Sequence, residues 1–274
     1  MQFIAGFSVV LALLLVLAVM VRVHLLHVRP RDVEWIAGTS TPGAQEVEVY
    51  TRYLRRHRLH RLVGGLFGAT FATVVGTTWY GTATVGGPHP LADLLFCTTA
   101  GVIAGALSAE TFRLSEPPTA TTSASLAAHP GAARPRLVRL ARGLTIGSIS
   151  LGVLAAVSGH GWASLGVAVV GLPVVLVAEA TQAAIAGRRR PVLSDRARVV
   201  DLRMRAFASS SVTWLQLAFA ALVGAWAVGR IAGLDGSAAA TVQMLLVGGG
   251  LLTSIVLLYR GAPRPRASWV AAAS

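Results

Sequence analysis

The chain has 274 residues, 54% hydrophobic and 13% charged, with mean hydropathy +0.65. A soluble domain, which carries about 25% charged residues, is excluded for want of polar surface. The net charge of +13 comes from 24 arginines against 11 acids with no lysine and no asparagine, which removes lysine-based chemistry and N-glycosylation.

In chain order, the first apolar block, Phe3 to about Val23, is long enough to span a bilayer. No basic residue precedes it and no small-residue cleavage site follows, while Arg22, His24, His27, Arg29 and Arg31 come after it. That order predicts an uncleaved first helix with its N-terminus outside. A polar stretch follows, with a turn-rich loop from Gly38 to Gly43. Within it, Gln45 to Arg61 carries Val47, Tyr50 and Leu54 among arginines, and Glu46 and Glu48 in its first turn. It reads as an amphipathic helix, residues 45–61, lying on the membrane surface.

Further spans are expected at Leu62 to about Thr84, Leu91 to Arg113, Arg142 to Ser158, Trp162 to Ala186, Phe207 to Gly229 and Ala238 to Tyr259. Pro173 interrupts the fifth span, where it can kink but need not break the helix. Short links, Gly86 to Pro90 and Gly159-His160-Gly161, make neighbours antiparallel. Trp79, Tyr80, Trp162, Trp226 and Tyr259 fall at span ends, where amphipathic rings form interfacial belts.

Segments 27–61, 113–142, 187–205 and 260–274 hold 22 of the arginines, and Arg230 alone falls on the opposite side. The expected fold is therefore all-α and polytopic: about seven transmembrane helices, one N-terminal helix plus three hairpins, N-terminus outside and C-terminus inside. A Pro/Thr/Ser-rich linker at 115–133 separates residues 1–114 from 134–274, the latter ending in a short basic tail. Arg58, Leu59, Arg61, Leu62 and Gly65 recur in spacing as Arg136, Leu137, Arg139, Leu140 and Gly143, a weak parallel repeat. Small residues recur at every fourth position, Gly64, Gly68, Ala72 and Gly101, Gly105, Ala109, with a triplet at Gly248 to Gly250. They are expected to let helices approach closely within the bundle.

Three acids fall inside spans, where ionised groups cost about 2.5–3.5 kcal/mol at mid-helix: Asp93, Glu110 and Glu179. Asp93 has His89 four residues before it. Glu110 and Glu179 are either a proton or cation site facing the bundle interior, or partners of arginines such as Arg113, Arg142 or Arg188. Lipid headgroup contacts are expected from Arg55, Arg56, Arg58, Arg61, Arg136, Arg139, Arg188, Arg189 and Arg190.

No catalytic, nucleotide or metal motif is present. Gly147-Ser148-Ile149-Ser150 has no partnering histidine in a span, His57 and His60 sit in a basic helix that repels cations, and Cys97, the single cysteine, falls in an apolar run. Composition points to a high-GC bacterium and a multi-pass protein of its plasma membrane. The expectation is a non-catalytic scaffold or accessory subunit of a membrane assembly, without cofactor, whose basic cytoplasmic segments contact anionic lipid or an acidic partner such as another membrane protein, but no nucleic acid. The alternative is a small permease with an intramembrane acidic site.

Overall fold

The computed structural model describes residues 27–79, 90–114, 135–187, 195–233 and 236–263. The expected first span, the 115–133 linker, His89 and Arg188 to Arg190 lie outside them. Seven α-helices and no strands occur among the described residues: α1 (Pro30–Ala37), α2 (Ala44–Trp79), α3 (Pro90–Leu114), α4 (Pro135–Val157), α5 (Ala163–Gly187), α6 (Asp195–Gly229) and α7 (Ser237–Arg260).

α1 was not expected, although its signals stand in the sequence. Pro30 occupies the first turn, and Asp32 accepts the Arg29 backbone N–H at 3.1 Å. Gly38 takes the left-handed conformation (φ 62°) that ends the helix. Pro90 and Pro135 likewise open α3 and α4. Pro173 lies inside α5, which runs on without interruption to Gly187.

The segment expected to lie flat on a membrane is instead continuous with the second expected span. Nothing between Arg61 and Leu62 stops a helix, so α2 runs for 36 residues, about 54 Å at 1.5 Å per residue. The apolar stripe of its first half is covered by protein. Tyr50, Tyr53 and Leu54 are buried with Val33, Ile36 and Ala37 of α1 and Met204 of α6. α6 also begins well before the expected Phe207 and spans 35 residues. Both helices exceed a hydrocarbon layer of roughly 30 Å.

Successive helices run antiparallel. Gly64 and Gly68 of α2 lie against Gly101 and Cys97 of α3, Gly152 of α4 against Leu165 of α5, and Gly250 of α7 against Ala225 of α6. A Cβ on Gly64 would fall 2.2 Å from the Gly101 carbonyl oxygen, so these backbones touch only because both positions are glycine. α6 is the central helix: every residue from Ser211 to Ala220 is buried. Its Leu215, Phe219 and Leu222 join Phe96, Ile103 and Leu107 of α3 and Val175 of α5 in the main core.

Of these helices, five are long and apolar enough to cross a membrane, in α3 (Asp93–Glu110), α4, α5, α6 from Val199 and α7 from Ala238. The apolar half of α2 is not among the five. The antiparallel order collects Arg29, Arg31, Arg52, Arg55, Arg56, Arg58, Arg61, Arg136, Arg139, Arg142, Arg203, Arg205 and Arg260 at one end of the bundle. Arg230 stands at the other.

Candidate functional site

Each of the three acids singled out in the sequence is engaged by side chains from other helices. Asp93, in the first turn of α3, is buried and accepts from Arg230 at 2.6 Å and from the Trp226 indole N–H at 3.2 Å. Phe96 stacks on Trp226 with centroids 5.4 Å apart, and the Arg230 guanidinium lies over the same indole. Arg230 therefore meets the buried Asp93 carboxylate with opposite charge, and the pair ties α3 to the end of α6.

Glu110, near the last turn of α3, is 2% exposed. Its Oε1 accepts from the Tyr53 hydroxyl at 2.5 Å and lies 2.5 Å from Nε2 of His57, both on α2. Phe207 of α6 meets the Tyr53 and His57 rings edge-on, and Trp35 of α1 meets Phe207 in the same way. Burial pushes the His57 pKa down; the hydrogen bond to Glu110 and its charge oppose this, and Arg61 and Arg56 add to the lowering. A neutral imidazole presents one N–H and one lone pair. The N–H belongs on Nε2, facing the carboxylate, because Nδ1 is buried without a hydrogen-bond partner. His60, one turn on, reaches Ser108 of α3 at 2.9 Å, and its pKa is also lowered, first by burial.

Glu179 of α5 faces Arg142 of α4. Arg142 donates through Nε at 2.6 Å and Nη2 at 3.2 Å, a two-point grip on the carboxylate. Gln216 of α6 donates to Glu179 at 3.2 Å, and Gln182 of α5 donates to Gln216 at 3.1 Å. Polar contacts thus pass from the surface to the buried centre of α6.

Glu110 meets Tyr53 and His57 of α2, whereas Glu179 meets Arg142 of α4 and Gln216 of α6. The headgroup arginines divide as well. Arg58 is engaged by Asp32 at 2.6 Å and the His27 carbonyl, and Arg61 donates to the Gly261 carbonyl at 2.8 Å. Arg55, Arg136 and Arg139 are exposed, and Arg56 is half-buried. Among the described residues no group of three His, Cys, Asp or Glu side chains could hold a metal ion.

Reading the sequence missed Tyr53, His57, Gln216 and Arg230 as partners. For the first two a signal existed: Tyr50, Tyr53, Leu54 and His57 follow i, i+3, i+4, i+7 spacing and so share one helix face. Gln216 carried none, because a lone glutamine in an apolar run does not reveal what it meets.

No family model, no curated protein and no solved structure matches the chain. The class defined by the fold is an all-helical, multi-pass membrane protein, with five helices of spanning length and with Asp93, Glu110 and Glu179 engaged across helices.

Proposed function

We propose that this protein is a non-catalytic scaffold or accessory subunit of an assembly in a bacterial plasma membrane. It crosses the bilayer seven times, with the N-terminus outside and the C-terminus inside. Its arginine-rich end faces the cytoplasm and contacts anionic lipid or an acidic partner. One observation carries the reading: Asp93, Glu110 and Glu179, the three carboxylates singled out in the sequence, are each engaged by side chains of another helix. A charge held in this way fixes helix orientation and is costly to release in low dielectric. Purification in mild detergent is expected to co-isolate a stoichiometric membrane protein or bound anionic lipid; a solitary chain indifferent to lipid charge overturns the proposal.

The second reading, a small permease, is favoured by the polar path from Arg142 through Glu179 to buried Gln216. It requires Glu179→Gln to abolish proton or solute flux in vesicles at unchanged expression. A variant that loses only expression or stability supports the structural role.

A further inference from the structure

The arginine-rich end is not uniform in what it offers a ligand. Arg52 is tied to Glu48, Arg58 to Asp32 and Arg61 to a backbone carbonyl. Arg142 differs. Glu179 holds it through Nε and Nη2. Of a planar guanidinium with five N–H donors, that leaves the edge formed by Nη1 and the second Nη2 hydrogen available. The Arg142 side chain is 56% exposed. Arg139, three residues earlier, is exposed on the same side of α4. Helical Cα–Cβ bonds tilt toward the N-terminus, so both side chains lean toward the arginine-rich end of the bundle. Below them the stripe becomes apolar at helical spacing: Ile146, Val153 and Val157 are 65%, 45% and 81% exposed.

From this sequence of groups we propose that α4 carries a binding site for an anionic phospholipid. The headgroup phosphate bridges Arg139 and the open edge of Arg142, and an acyl chain follows Ile146, Val153 and Val157. Glu179 is the positioning residue that holds the guanidinium flat and aimed. The inference rests on the membrane reading above and names the lipid partner within it. Two cations with free donors beside an apolar strip match a molecule that is itself a phosphate joined to hydrocarbon. A soluble phosphate would use only the first half of that surface.

The test titrates the full-length chain in mild detergent with phosphatidylglycerol or phosphatidylcholine and reads bound lipid by native mass spectrometry. Phosphatidylglycerol is expected to bind roughly tenfold tighter, a preference lost in R139Q/R142Q and kept in Arg31→Gln. Arg142→Gln leaves Glu179 without its cation, so R139Q/R142Q/E179Q is run alongside and must lose the preference equally. Retention of the preference by either multiple variant overturns this site and leaves the wider lipid reading standing. Absence of any preference in the unaltered chain overturns both. Displacement of the lipid by equimolar inorganic phosphate overturns the assignment to lipid.

Discussion

His57 shows how far one side chain departs from its sequence context. Among arginines it reads as a surface residue of a basic helix; in the fold it is fully buried against Glu110. Burial holds its pKa below the ordinary 6.5, so the folded protein keeps it neutral while the unfolded chain takes up a proton below about pH 6.5. Between the folded and unfolded values the unfolded state binds more protons, and stability rises with pH there. The contribution is therefore complete above about pH 6.5 and is lost as pH falls through the folded value. Unfolding free energies in detergent are expected to be level from about pH 8 to 6.5 and to drop below, with a slope of up to about 1.4 kcal/mol per pH unit for one proton. His57→Gln, which retains a donor toward Glu110, is expected to remove the larger part of that slope and leave the part due to His60, which burial also lowers. A slope of the same size in the variant would place its origin in another group. The partner could not be read from the sequence because 53 residues separate it from Glu110, and spacing speaks only of neighbours on one helix.

Helices whose code is local were legible; their lengths and mutual contacts were less so. The small residues at every fourth position in α2 and α3 announced close approach, and the two stripes lie on each other. Gly101 is one of three equally tight positions: a Cβ there would sit 2.1 Å from the Gly64 carbonyl oxygen, which as backbone cannot move aside. Gly101→Ala is expected to destabilise the protein by about 1–3 kcal/mol, as overpacking does. Gly248, with the same helical environment, has nothing within 4 Å of an added Cβ. Gly248→Ala is then expected to be neutral or to stabilise by up to about 1 kcal/mol through helix propensity alone. Equilibrium unfolding followed by circular dichroism compares the two; equal effects would mean that α2 and α3 do not touch along this seam. What the sequence hid was continuity. A composition change at Arg61–Leu62 looks like a boundary between a surface helix and a span. A helix, however, is ended by capping and by glycine or proline, and α2 has neither there. The same error shortened α6, whose start at Asp195 precedes the first strongly apolar residues.

At the scale of the molecule, arginine placement and hydrogen bonding impose the same order by different physics. Guanidinium groups resist translocation, so arginines collect in alternate connections. The fold independently pairs two connections at one end: the Ala232 backbone N–H donates to the His160 carbonyl at 3.1 Å and His160 Nδ1 donates to the Ala232 carbonyl at 2.8 Å, joining the α4–α5 and α6–α7 links. Those two links are short of arginine apart from Arg230, whose charge Asp93 meets locally. Labelling can test the proposed orientation, and it is simple because Cys97 is buried and the only cysteine. In a Cys97→Ala background, Ser158→Cys and Ala232→Cys are both exposed positions at the arginine-poor end. They are expected to react with a membrane-impermeant maleimide in intact cells. Thr41→Cys and Ala186→Cys, exposed at the arginine-rich end, are expected to react only after permeabilisation. The reverse pattern would turn the protein over in the membrane and detach the proposed lipid site from the cytoplasmic leaflet. Labelling that separated Ser158 from Ala232 would be more damaging, because links on opposite faces of a hydrocarbon layer roughly 30 Å thick could not share the two His160–Ala232 hydrogen bonds that join them.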